Sequence, residues 1–212
     1  MISQLQSTKH IGLLHQDKTA ILLSGGMDSI ALCFWKNPAV AFTIDYGQKP
    51  AKAEIHAACQ VAKYLNIEHH IIELDCSEFG SGDMSRNKPL SLAPATEWWP
   101  YRNQLLVTLA CMKGINLGIT ELYIGSVKTD SLHSDGTKSF YQKISDLISY
   151  QEGKIIVGAP AIELETVDLI KKSGVPTSVL LWAHSCHTSN EPCMNCNGCK
   201  KYLHTLQQLG LD

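Results

Sequence analysis

The sequence predicts an α/β fold, a parallel β-sheet with helices on both faces, ending in a knot of four cysteines. Three observations predict it. Short apolar runs alternate with segments of helical period along the chain. The first apolar run ends in a glycine pair that leads straight into a helix. Cys186, Cys193, Cys196 and Cys199 crowd together near the C-terminus, with two Cys-x2-Cys steps in succession.

Taken in order, Thr19–Leu23 is a continuous apolar run, suited to a strand buried on both faces. The spacing predicts a helix over Asp28–Trp35, with Pro38 just beyond it. Ala39–Ile44 reads as a second buried strand, closed by Asp45-Tyr46-Gly47. Pro50–Leu65 is amphipathic, with Ile55, Ala58, Cys59, Ala62 and Leu65 on one stripe. Glu68–Leu74 is a third strand. Residues 75–100 break the rhythm with Ser, Gly, Asp, Asn and Pro, and a loop of that length in a small domain is usually functional or mobile. Arg102–Leu117 is helical, with Leu105, Leu106, Leu109 and Met112 expected inward. Glu121–Ile124 is a fourth strand, followed by a polar turn from Gly125 to Thr137. Phe140–Tyr150 is a helix and Lys154–Val157 a fifth strand. Glu165–Ser173 is a helix stopped by Gly174-Val175-Pro176. Val179–Trp182 reads as a last short strand, and Lys200–Leu209 as the terminal helix.

A chain of 212 residues suffices for one sizeable domain and is short for two. Residues 1–183 are assigned to the α/β domain, and 184–212 to a metal-binding segment and helix packed on it. With 44% hydrophobic and 18% charged residues, the chain is not of the disordered class. No apolar run has the roughly 18–20 residues a membrane helix needs. The first seventeen residues lack the charged start and long apolar stretch of a secretory signal. Net charge −2 and pI near 6.5 argue against a broad nucleic-acid surface. The scattered Cys33, Cys59, Cys76 and Cys111 read as small buried hydrophobes in a reducing compartment, which places the chain in the cytoplasm.

In open parallel sheets, ligands bind beyond the C-terminal ends of the strands. That rule selects Ser24–Ser29, Asp45–Gln48 and Gly125–Asp135. In Ser24-Gly25-Gly26-Met27-Asp28-Ser29, two glycines let backbone amides approach an anion, and the helix that follows adds its positive end. The phosphate-loop lysine is absent, so this is not a Walker loop. The plain alternative is a tight strand-to-helix turn with a Ser or Asp cap. The four clustered cysteines fit a closed tetrahedral zinc site, with an iron–sulfur cluster as the rival. His184 and His187 flank Cys186 and are read as bystanders on the rim.

The turn resembles the Ser-Gly-Gly-x-Asp-Ser pyrophosphate loop of the N-type ATP pyrophosphatases, which split ATP into AMP and pyrophosphate. Joined to the cysteine cluster, it is similar to the 7-cyano-7-deazaguanine synthase (QueC) family. Asp45-Tyr46-Gly47-Gln48, Pro100-Tyr101-Arg102-Asn103 and the stretch Gly125 to Asp130 match family segments. The resemblance implies a Rossmann-like, adenine nucleotide alpha hydrolase-like fold, with ATP, magnesium and zinc. It also implies a ligase that adenylates 7-carboxy-7-deazaguanine and passes it to ammonia or another amine, from a protein for instance, as a homodimer. Ser24, Gly25, Gly26, Met27, Asp28 and Ser29 would hold pyrophosphate and magnesium. Tyr46, Gly47 and Gln48 would lie near the nucleotide. Arg102 would meet phosphate or carboxylate charge, and Asn103, Gly125, Asp130 and Asp135 the base. Cys186, Cys193, Cys196 and Cys199 would bind the metal. Trp98 and Trp99 either cover the pocket or pack under the long loop.

Two departures stand out. Leu132–Thr137 lacks the family's Cys and Arg, and Glu165-Thr166-Val167-Asp168 lacks a lysine. Fewer cations near phosphate favour a single adenylation, stopping at an amide, over the two-ATP route to a nitrile. Members of this kind also occur in bacterial antiviral gene clusters, a second setting for the same chemistry. The rival classes are a tRNA-modifying relative, which the pI opposes, and a non-catalytic nucleotide-binding zinc module.

Overall fold

The computed structural model describes residues 18–211. The segment read as lacking a secretory signal lies outside the described residues.

Five strands form one parallel sheet. They are β1 (Lys18–Leu22), β2 (Val40–Asp45), β3 (Glu68–Glu73), β4 (Ile119–Tyr123) and β5 (Ile156–Gly158), in the order β3-β2-β1-β4-β5. β1 is central. Ala20 and Ile21 face Val40 and Ala41 of β2 on one side, and Leu122 and Tyr123 of β4 on the other. The chain winds outward from β1 in one direction through β2 and β3. It then crosses back to add β4 and β5 on the other side. The strand order thus reverses between β1 and β4, which opens a crevice beyond their C-terminal ends.

The helices are α1 (Met27–Lys36), α2 (Ala51–Leu65), α3 (Arg102–Ile115), α4 (Lys138–Tyr150), α5 (Thr166–Ser173), α6 (Thr177–Leu180) and α7 (Asn197–Gln208). α3 and α4 cover one face of the sheet, where Ala20, Phe42 and Leu122 pack against Val107, Ala110, Tyr141 and Ile144. α1 and α2 cover the other, where Ile21 and Ala41 meet Ile30, Leu32, Ala58 and Val61. Full burial of such apolar side chains contributes about 1.5–3 kcal/mol each. This is why β1 and β2 read as unbroken apolar runs rather than alternating ones. A smaller cluster, Met27, Ala31, Leu169 and Leu180 with Tyr202 and Leu206, ties α5, α6 and α7 to α1. The C-terminal segment is thereby seated on the α/β body, and His184 N–H donates to Gly25 C=O at 2.9 Å.

The predicted elements are present with shifted ends, apart from one. Val179–Trp182 is not a strand. The chain makes the short helix α6 after Pro176, whose carbonyl accepts from Val179 and Leu180 N–H. A four-residue apolar run carries no periodicity that separates strand from helix, and Val179 and Leu180 are buried equally well by either. Met112, expected inward, is 63% exposed. The buried stripe of α3 is Val107, Ala110, Cys111 and Gly114, and Met112 falls off it. α7 starts three residues earlier than expected because Cys196 caps it, its sulfur accepting Cys199 N–H.

Residues 75–100 hold two single 3-10 turns, at Ser77–Phe79 and Gly82–Met84. The loop folds on itself, with Asp83 N–H donating to Thr96 C=O at 2.7 Å. Met84 and Trp99 are buried from it against Ile44 and Tyr46, and the Trp99 ring meets Tyr46 edge-on at 4.9 Å. Trp99 therefore packs under the loop, and neither Trp98 nor Trp99 lines the crevice.

Candidate active site and metal centre

The crevice between β1 and β4 contains a cavity of about 300 Å³, the lower end of the range for small-molecule sites. Its floor is the turn after β1. Gly25 adopts φ +79°, and a Cβ there would sit 2.5 Å from the Glu54 carbonyl oxygen. Only glycine lets the turn lie this close to α2. Gly125, after β4, does the same from the other side, since a Cβ would meet Ser29 Cα at 2.9 Å. The N-cap of α1 is Gly26, with no side chain capping it. The capped-turn alternative is thus absent, and the amides of the first turn of α1 remain available to an anion. Ser24 Oγ donates to Ser29 Oγ at 3.1 Å, and Ser29 Oγ donates to Gly26 C=O at 3.0 Å, which fixes both hydroxyls beside the turn.

Of the residues singled out from the sequence, Ser24, Gly26, Met27, Asp28, Ser29, Tyr46, Arg102, Asn103, Gly125 and Asp130 line this cavity. Gly25 shapes it from behind. Gly47 and Gln48 face a separate surface depression. Gln48 is buried, donates to Ile44 C=O and to Glu54 Oε2 at 2.8 Å, and accepts Tyr46 N–H at 2.8 Å. It braces the turn after β2. Asp135 lies outside the lining and accepts from Asn103, whose Nδ2 also donates to the Asp135 carbonyl at 3.0 Å.

Sequence reasoning missed Glu54, Met84, Thr166 and Lys201, all on the cavity wall, while His184 and His187, read as bystanders on the rim, do line the cavity. Lys201 Nζ donates to Asp28 Oδ2 at 2.8 Å and lies 3.6 Å from Asp130 Oδ1. Burial raises the Asp28 carboxyl, Lys201 lowers it and Asp130 raises it, with a net upward shift. Burial pushes Glu54 up to about 7, against the Gln48 hydrogen bond and the Arg102 charge. The Arg102 guanidinium donates to Met84 Sδ at 3.0 Å and to Asn103 Oδ1 at 3.5 Å, both uncharged, while Asp135 and Glu54 act at longer range. Among the described residues, the buried Asp28 Oδ1, Thr166 Oγ1 and His187 Nδ1 on the wall make no hydrogen bond of ordinary geometry, although the Thr166 hydroxyl stands close enough to Asp28 to lower its carboxyl. Native proteins leave few such atoms, and their gathering in one cavity marks a place for a polar ligand.

The four cysteine sulfurs lie within 4.8 Å of one another. Cys193 and Cys199 sulfurs are 3.9 Å apart, and those of Cys186 and Cys196 4.0 Å. A tetrahedral zinc with bonds of about 2.3 Å has sulfur–sulfur edges of about 3.8 Å, so the spacing fits. Backbone N–H groups of His187 and Cys199 donate to Cys196 Sγ, and Cys196 N–H to Cys193 Sγ, which favours thiolate. Burial raises the Cys186 thiol, but the Thr188 hydroxyl and neighbouring amides outweigh it and bring the value down to about 5.

Fold and site together define a parallel α/β protein with a glycine turn and an uncapped helix N-terminus at its strand-order reversal and a four-cysteine centre beside it. A family profile described as queuosine biosynthesis protein QueC matches residues 18–210. The chain belongs to that family, and is with it an ATP-dependent ligase. Among its relatives, the 7-cyano-7-deazaguanine synthase of Gloeothece citriformis (strain PCC 7424) is 32% identical over 212 residues, covering 88% of this chain and 90% of that protein. The 7-cyano-7-deazaguanine synthase 1 of Desulfitobacterium hafniense (strain Y51) is 28% identical over 197 residues, covering 87% and 89%. A solved NMN synthetase from Francisella tularensis aligns over 92% of this chain and 77% of its own, at 17% identity and TM-score 0.47.

Proposed function

We propose that this chain adenylates the carboxylate of 7-carboxy-7-deazaguanine with ATP and passes the acyl group to an amine, giving an amide. The observation that carries this reading is the uncapped N-terminus of α1 at the cavity floor, facing a wall of unpartnered polar atoms, within a chain of the QueC family.

In this reading a carboxylate oxygen of the substrate attacks the α-phosphorus, and the bond to the β,γ-pyrophosphate breaks. The amides of Gly26, Met27 and Asp28, with the Ser24 and Ser29 hydroxyls, receive the charge that grows on the leaving pyrophosphate. The amides of the first turn of α1 need no rearrangement to do this, whereas the Ser24 and Ser29 hydroxyls turn away from each other and from Gly26 C=O to donate to phosphate. Arg102 has donors left over, and a planar guanidinium suits a carboxylate or phosphate. It draws the substrate acid toward the nucleotide. An amine then attacks the acyl carbon, and AMP leaves. Asp28 and Asp130 suit a magnesium ion, because Asp28 Oδ1 is unpartnered and both are hard oxygen donors. The ion would neutralise phosphate oxygens. The four thiolates suit zinc with no open position, and a zinc bound there would hold residues 184–211 on the body.

The amide endpoint is favoured by Thr166, which stands on the cavity wall where a lysine was expected from the resemblance. The test is to incubate purified protein with ATP and the carboxylate, following pyrophosphate, AMP and product mass. One AMP per amide is expected, and Asp28→Ala should abolish pyrophosphate release. Nitrile at two AMP per product overturns the amide endpoint. No pyrophosphate release from zinc-loaded protein overturns the ligase reading in favour of a non-catalytic nucleotide-binding module.

A further inference from the structure

The glycine turn contains no cation, yet a pyrophosphate leaving group carries several negative charges. Among the cavity-lining residues, only Arg102 and Lys201 carry a fixed positive charge. Arg102 begins α3 and is joined to Met84 and Asn103. Lys201 is in the first turns of α7, and its Nζ touches Asp28, the second residue of α1. It therefore stands at the anion-binding end of α1, across 173 residues of chain.

We propose that Lys201 is a phosphate-binding residue of the adenylation site, delivered to the glycine turn by the helix that the four-cysteine centre anchors. The inference rests on the functional reading above and deepens it. An ammonium has three donors. One is committed to Asp28, while Asp130 is a looser ion-pair partner at 3.6 Å. Donors remain for a phosphate oxygen, and the side chain is 39% accessible through the cavity mouth. The two carboxylates hold the ammonium in place before the nucleotide arrives.

The anchoring is equally specific. Cys196 caps α7 and Cys199 lies in its first turn, two residues before Lys201, so the cysteines that would bind the metal fix the helix start that carries Lys201. Tyr202 and Leu206 seat the helix against α1 and α5. The same cysteines that would hold zinc thus set where the ammonium goes. In consequence, the cation of the phosphate site comes from the far end of the chain rather than from the loop itself.

Two measurements test this. In the wild-type protein, lysine acetylation is mapped by mass spectrometry with and without saturating magnesium pyrophosphate. Lys201 should be protected about tenfold or more, as a charge-assisted hydrogen bond implies, while the exposed Lys200 should not change. In parallel, Lys201→Met should raise the KM for ATP about tenfold or more, with zinc content and melting temperature retained. Lys201→Arg should recover most of that loss, and Lys200→Met should match wild type. Unchanged Lys201 reactivity under pyrophosphate, or wild-type ATP kinetics in Lys201→Met, overturns the proposal. An inactive wild type that still shows the footprint would instead overturn the ligase reading and leave Lys201 as a pyrophosphate ligand.

Discussion

Glu54 offers a stringent check on the electrostatics of the cavity. Its carboxyl is buried in α2 against the turn after β2, where Gln48 Nε2 donates to Oε2 at 2.8 Å. Burial carries it from an ordinary value near 4.5 to about 7. The folded protein therefore keeps a proton there over a range in which the unfolded chain has released it. Stability is greatest below pH 4.5 for this group, falls as pH rises, and levels off above 7. At about 1.36 kcal/mol per pH unit, the gap amounts to roughly 3 kcal/mol. Glu54→Gln keeps the shape and can still accept from Gln48, but has no charge to bury. Urea unfolding of both proteins between pH 5 and pH 8 should show the variant gaining on wild type, most steeply around pH 5–7. Parallel stability curves, with the same difference at every pH, would refute the claim that burial of a carboxylate dominates this corner. A difference of the opposite slope would mean that Arg102 outweighs desolvation and holds Glu54 ionised.

Three other perturbations probe the turn and the metal centre. Gly25→Ala forces a side chain onto a backbone at φ +79° and against Glu54 C=O. The conformational strain alone costs about 1–2 kcal/mol, and both melting temperature and ATP affinity should fall. Cys196→Ser removes the sulfur that caps α7 and accepts two backbone N–H groups. Zinc content, read by mass spectrometry of the native protein, should drop below one per chain, with a lowered melting temperature. Chelation of wild-type protein should lower ATP affinity in the same direction as Lys201→Met.

Much of this molecule was legible because its information is local. Buried strands announce themselves as apolar runs, and α2 by its stripe. The turn Ser24–Ser29 and the cysteine cluster are each contained within a few residues, so spacing alone places their groups together. The errors occurred where local pattern is silent. Val179–Trp182 is too short to have a period, and Met112 lies just past the edge of a stripe whose phase is set by Val107 and Ala110. The resemblance of Asp45–Gln48 to the family segment after β2 points Gln48 to the nucleotide, but its amide turns inward to complete hydrogen bonds of the turn itself.

The sequence by itself determined which segments bury, that strands alternate with helices around a parallel sheet, and that a glycine turn follows β1 and four cysteines crowd near the C-terminus. Tertiary structure alone decided what faces that turn. Asp28 and Lys201 are neighbours only because α7 is seated on α1 by apolar contacts from Tyr202 and Leu206 and by the cysteines at its start. Glu54 and Thr166 reach the same cavity from α2 and α5. Periodicity reports whether a side chain leaves water. It is blind to which partner meets that side chain, because the pairing depends on how whole helices pack across the sheet.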